Sequence, residues 1–224
     1  MSITENLNWF IEEELPPGVT LVAVSKTKPN EAIMESYNAG HKIFGENRVQ
    51  ELTQKYEGLP KDIQWHMIGH LQSNKVKYIA PFVQMIHGVD KAKLVKVINK
   101  EAKKNERVLD ILLQFHIAEE ETKFGFDIDE AKKMLESPQF KGYENIRVRG
   151  VMGMATFTED MEKVQREFKQ LITYFKQLKK DYFFDEEYFS EISMGMTNDY
   201  KVALEEGATI LRIGSLIFGK RNNH

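Results

Sequence analysis

Lys26 closes an apolar run, Thr20-Leu21-Val22-Ala23-Val24-Ser25, that can sink the lysine stem into a core and leave its amine at the edge. An amine partly removed from water is easier to deprotonate and can condense with a carbonyl. Lys28 would point the same way only if the strand continued, and Pro29 argues against that, so Lys26 is preferred. From the strand-end position alone, a solvated loop lysine explains Lys26 equally well. Two late turns sharpen the choice. Ser193-Met194-Gly195-Met196 leads through Thr197-Asn198-Asp199 into a helix, and Arg212-Ile213-Gly214-Ser215 leads into Leu216-Ile217-Phe218. Each offers a glycine turn, a serine hydroxyl and backbone N–H groups at a helix start, which together make an anion cradle. Either glycine alone would be explained by a tight turn. The pair, facing a lysine, points to a ligand carrying both an aldehyde and a phosphate.

Arg212 is expected to point inward beside that cradle. It could bind the phosphate, pair with a core acid, or donate to the ring nitrogen of a pyridine cofactor. In the last case a guanidinium cannot take up the pyridinium proton, so the ring stays a weak electron sink and transamination is disfavoured. His66 and His70 are four apart, but Gly69 and a strand-like run separate them from the zinc-binding helical pattern, whose glutamate is also missing, so no metal is expected. His87 ends the fourth run and His116 follows Gln114 in the fifth, and both fit either the mouth or a hydrogen-bonded wall behind it. Lys91, Lys93, Lys96, Lys100, Lys103 and Lys104 share a helix with apolar Leu94, Val97 and Ile98, and read as a solvated face rather than a nucleic-acid footprint.

These residues need a scaffold that brings strand ends together. About eight strand-like runs occur, most closing on a polar side chain: Lys26, Asn47, His66, His87, Gln114, the Met152–Met154 stretch, Ser193 and Arg212. Several are nearly continuous apolar runs, such as Ile63–Ile68 and Val108–Phe115, as in a parallel sheet buried on both faces. Helix signals alternate with them: Pro29-Asn30-Glu31 and Asp127 at starts, Gly207 at an end, and a long stripe from Met161 to Leu178. Ile3, Leu7, Phe10 and Ile11 predict an amphipathic helix over about the first fifteen residues, ended by Pro16-Pro17-Gly18. The expected fold is α/β, a single (β/α)8 TIM barrel with an extra N-terminal helix and one domain over residues 1–224. An open flavodoxin-like sheet would need fewer strands.

The chain has 224 residues, no cysteine and a formal net charge of −3. That length fits one barrel, and the charge gives no general pull toward nucleic acid or an anionic membrane. Absence of cysteine removes disulfide, thiolate and Cys-ligated metal chemistry and accords with a reducing compartment. Neither a signal-like N-terminus nor a membrane-length apolar run is present, so a cytoplasmic location is expected.

Several segments resemble the pyridoxal phosphate homeostasis family, the YggS/PROSC type, whose barrel is similar to the N-terminal domain of alanine racemase. Trp65-His66-Met67-Ile68-Gly69-His70-Leu71-Gln72-Ser73-Asn74-Lys75 matches its signature, and Leu21 to Pro29 and Phe44 to Glu51 match further segments. Lys123-Phe124-Gly125-Phe126 and Gly153-Met154-Ala155-Thr156-Phe157 also resemble it. The resemblance implies pyridoxal 5'-phosphate as cofactor, a Schiff base on Lys26 rather than Lys28, and Asn47 beside the ring or its hydroxyl. It also implies phosphate held through Ser193, Gly214 and Ser215, Arg212 facing the pyridine nitrogen, and His66 and Met194 within the cofactor-binding set. Two departures stand out: His116 replaces a usual asparagine, and Gly88 replaces a usual serine.

Alanine-racemase chemistry uses a second base, a tyrosine supplied across a dimer built by an added β-domain. The sequence ends at His224, a few residues past the eighth run, so that domain is not expected and a monomer is favoured. The leading expectation is a cofactor-binding protein in vitamin B6 and amino-acid homeostasis, without catalytic turnover, whose partners would be the cofactor and pyridoxal-phosphate-dependent apo-enzymes. A racemase of low activity and a Schiff-base aldolase acting on sugar phosphates are the alternatives.

Overall fold

In the computed structural model, residues 2–119 and 124–219 are described, which leaves Lys123 of the motif quoted above and the last five residues outside them. Eight strands run β1 Thr20–Val24, β2 Ile43–Glu46, β3 Gln64–Met67, β4 Met85–Val89, β5 Leu109–Gln114, β6 Ile146–Met152, β7 Glu191–Ser193 and β8 Ile210–Ile213. They close into an all-parallel barrel in sequence order, β8 pairing back onto β1 through Thr20 with Ile210 and Ala23 with Ile213. The helices are α1 Ile3–Trp9, α2 Asn30–Asn38, α3 Val49–Gly58, α4 Val76–Ile79, α5 Ala92–Lys104, α6 Ile128–Glu136, α7 Pro138–Lys141, α8 Met161–Tyr182, α9 Tyr200–Glu205 and α10 Ser215–Phe218.

Local chemistry explains the boundaries. Pro29 caps α2 from an extended conformation, Asp127 forms a reciprocal capping box with Glu130 at the start of α6, and Gly207 turns the chain after α9 with φ +95°. Alternation along each strand divides the apolar side chains. Val22, Met85, Leu112, Met152 and Ile210 fill the barrel interior, while Ala23, Phe44, Trp65, Ile86 and Leu113 face outward into the helices. The lysines of α5 are exposed opposite buried Leu94, Val95 and Ile98, as its pattern requires.

The N-terminal helix differs from expectation in one respect. After Trp9 it widens into a π-helical turn, Phe10–Glu14, which shifts the phase of the apolar stripe. Leu7 and Phe10 are buried, but Ile11 falls on the exposed side.

Because every strand runs the same way, all eight C-terminal ends open on one rim. Residues far apart in sequence are brought together there, above a floor of interior apolar side chains.

Candidate functional site

The rim encloses a cavity of about 500 Å³, within the roughly 300–1,000 Å³ span of small-molecule sites. Lys26 reaches it just past β1, Asn47 just past β2, Ile68 to His70 past β3, and Gln114 from the end of β5. Met154 follows β6, Met196 to Asn198 follow β7, and Arg212, Gly214 and Ser215 come from β8 and the start of α10. Lysine, arginine, hydroxyl and amide groups converge between apolar walls, and among the described residues no aspartate or glutamate lines the cavity. The positive charges of Lys26, Lys28 and Arg212 on this lining favour an anion.

Lys26 and Lys28 both border this space, and their surroundings separate them. The Lys28 ammonium donates to the carbonyls of Phe218 at 2.8 Å and Gly219 at 3.2 Å, tying the end of α10 to the rim. Lys26 is the second residue of the Ser25–Lys28 turn, which the Lys28 N–H closes on the Ser25 carbonyl at 3.0 Å.

Arg212 is 3% exposed and holds its place through two partners: Nη1 donates to Ser193 Oγ at 2.6 Å and Nη2 to the Gly153 carbonyl at 3.1 Å. Burial lowers its pKa to about 10, with the Asp199 carboxylate opposing that, so it remains a cation at neutral pH. Behind it runs a buried polar chain. Ser193 Oγ lies 2.9 Å from His87 Nδ1, and His87 Nε2 lies 2.9 Å from His66 Nδ1. Since Ser193 already accepts from Arg212, its own proton has His87 Nδ1 as acceptor, so His87 carries its proton on Nε2 and donates to His66. Desolvation lowers His66 to about 4 and pushes His87 well below the ordinary imidazole value, with the charges of His66 and Arg212 adding to the latter. Both rings are neutral at physiological pH.

Of the residues expected from sequence, Lys26, Asn47, Arg212, Gly214 and Ser215 meet on the cavity. Ser193, Met194 and His66 do not line it. They lie buried beneath, Ser193 engaged with Arg212 and His87, and Met194 packed in the outer core. The positions after Gly195, Thr197 and Asn198, border the cavity instead, and Ser215 Oγ donates to Thr197 Oγ1 at 3.2 Å. Gln114, His70 and Phe124 were not singled out for the site. Gln114 donates to the Phe124 carbonyl at 2.9 Å, and His70 stacks on the Phe124 ring at 4.2 Å with Asp90 at 3.1 Å from its Nδ1. The strand-end position of Gln114 was a usable signal; the His70 stack depends on a loop that returns only in three dimensions.

Glycines keep the walls open. A Cβ on Gly69 would come within 2.5 Å of the Asn47 carbonyl oxygen, and one on Gly214 within 3.3 Å of the Val24 carbonyl oxygen. Gly88 is outside the cavity, pressed against the Gly69 carbonyl, where a Cβ would approach to 2.5 Å. His116 is likewise off the cavity lining, its N–H bonded to the Phe126 carbonyl.

Fold and site together define a (β/α)8 barrel of the alanine racemase N-terminal-domain class, and the family model for "Alanine racemase, N-terminal domain" matches residues 1–222. A curated relative, the "Pyridoxal phosphate homeostasis protein" of Aquifex aeolicus, is 43% identical over 202 residues, covering 90% of this chain and 86% of its own. PipY of Synechococcus elongatus PCC7942 superposes with TM-score 0.90 without PLP and 0.87 with PLP bound, at 35% identity over 97% of this chain and 100% of PipY. The chain belongs to the pyridoxal phosphate homeostasis protein family.

Proposed function

We propose that this chain binds pyridoxal 5'-phosphate, holds it as a Schiff base on Lys26, and serves intracellular vitamin B6 and amino-acid homeostasis without catalytic turnover. The observation that carries the reading is the placement of Lys26 and the buried cationic Arg212 on one cavity. The fit is chemical as well as electrostatic. The cofactor supplies an aldehyde for an amine and a phosphate ester for an anion cradle; Lys26 offers the amine, and Gly214, Ser215 and Thr197 offer the cradle. Ile68, Met154 and Val24 give apolar contact to a flat ring, with Asn47 within the same lining. Arg212 faces the ring nitrogen as a donor, anchored from behind by Ser193 and Gly153. PipY, 35% identical to this chain, has a structure with PLP bound, which supports cofactor binding.

The whole chain acts as one binding domain, monomeric and cytoplasmic, and passes the cofactor to apo-enzymes through the open rim. No described helix is long and apolar enough to cross a membrane. The test is the visible absorbance of the protein mixed with pyridoxal phosphate: wild type develops the Schiff-base band and Lys26→Ala does not. A band that survives in Lys26→Ala refutes the assignment.

One observation favours a racemase of low activity as the second reading. His70, on the cavity and backed by Asp90, is a base of the kind stereoinversion needs. Deuterium wash-in at Cα of L- and D-amino acids separates the two, since exchange above that of free cofactor, lost in His70→Gln, supports the enzyme.

A further inference from the structure

Lys26 occupies the second position of a tight turn, residues 25–28, closed by the Lys28 N–H on the Ser25 carbonyl. The third position is Thr27, with φ +64°. A type II turn demands that sign at that position, and glycine or asparagine ordinarily fill it; a β-branched residue there is strained. Something must hold the turn.

Three charged side chains converge on its two flanks. Lys55 of α3, only 4% exposed, donates to the Ser25 carbonyl at 2.8 Å, to Glu46 Oε1 at 2.7 Å and to Glu51 Oε1 at 2.6 Å. The same Glu46 oxygen, at the end of β2 and fully buried, accepts from Ser25 Oγ at 2.6 Å. The Glu51 oxygen accepts from the Thr27 N–H at 2.6 Å. The neighbours of Lys26 on both sides are therefore fixed by one ion cluster. None of the three lines the cofactor cavity. Burying such a cluster contributes little to stability by itself, because desolvation offsets the attraction between the charges. Its backbone contacts, however, fall on Ser25 and Thr27, the residues that set where Lys26 points.

We propose that Lys55, Glu46 and Glu51 form a positioning cluster that holds the strained Ser25–Lys28 turn so that the Lys26 amine meets the cofactor aldehyde. This inference rests on the Schiff-base reading above and extends it to residues that never touch the ligand. When the amine adds to the aldehyde carbon, the carbonyl oxygen leaves as water and the C=N bond replaces C=O. The rate of that condensation depends on the orientation the turn imposes.

Lys55→Met would strand Glu46 as an unpaired buried charge and risks misfolding, so Glu51, partly exposed, is the better site for the test. In the full-length protein freed of cofactor, Glu51→Leu should speed hydrogen exchange of the Thr27 amide by roughly tenfold through loss of a charge-assisted hydrogen bond. On addition of pyridoxal phosphate the same variant should form the visible band about tenfold or more slowly, because the amine is no longer pre-oriented. Glu51→Gln, whose amide oxygen still accepts from Thr27, should restore both rates toward wild type. Equal rates in Glu51→Leu and Glu51→Gln, or condensation at the wild-type rate in Glu51→Leu, overturn the proposal. Survival of the band in Lys26→Ala would instead overturn the Schiff-base reading, and the exchange measurement, which needs no cofactor, would still report on the turn.

Discussion

The guanidinium of Arg212 and the hydroxyl of Ser193 meet at 2.6 Å on adjacent strands, the arginine reaching the cavity and the serine sealed behind it. Ser193 therefore acts on a ligand through Arg212. Ser193→Ala leaves a buried guanidinium N–H without an acceptor, and affinity for the cofactor should fall about tenfold. Pyridoxal, which lacks the phosphate, should lose affinity by the same factor in isothermal titration. A loss confined to the phosphorylated form would place Ser193 on the phosphate instead.

The neutral histidine pair gives a pH dependence of defined sign. In the unfolded chain both imidazoles take up protons as pH falls below about 6.5, whereas folded His66 does so only near 4 and folded His87 resists as well. Their contribution is fully present above pH 6.5 and is lost as pH falls toward 4, about 3 kcal/mol from His66 alone. Urea denaturation across that range should show the decline. Nitrogen-15 spectra should show both rings protonated on Nε2 at pH 7, and a His66 titration near 6.5 would contradict the assignment.

Gly69 and Gly214 are predicted to differ in tolerance. Gly69→Ala drives a methyl into the Asn47 backbone and should destabilise the fold by about 1–3 kcal/mol. Gly214→Ala meets a looser contact with Val24 and should fold while weakening cofactor binding. Thermal melts and titrations of the two variants compare them directly, and wild-type stability in Gly69→Ala would show that the Asn47 segment yields.

Lys28 holds the end of α10 at the rim through the Phe218 and Gly219 carbonyls. Lys28→Ala should keep the visible band yet release the cofactor faster, by severalfold, because a few kcal/mol of charge-assisted bonding no longer fixes that rim segment. Stopped-flow transfer to an apo-enzyme acceptor measures it. Loss of the band would assign Lys28 a covalent role.

Much of the barrel was legible because its strands are short apolar runs ending at polar residues, and because parallel strands send all those ends to one rim. Lys26, Asn47 and Arg212 are such strand ends, and Gly214 and Ser215 lie in the glycine turn that follows the last of them. The histidine chain did not, since His66, His87 and Ser193 join only through barrel closure, the last two being 106 residues apart. Nor did the inward turn of Lys55, because a lysine on an amphipathic helix ordinarily reads as solvated, and only the Glu46 and Glu51 carboxylates and the Ser25 carbonyl show why it is buried. Ile11 was misplaced because a π-helical turn leaves no mark in hydrophobic periodicity.

The most direct measurement of the central claim is borohydride reduction of the protein loaded with pyridoxal phosphate, followed by peptide mass mapping. One phosphopyridoxyl group per chain is expected, located on Lys26. A label on Lys28, or none at all despite bound cofactor, would contradict it.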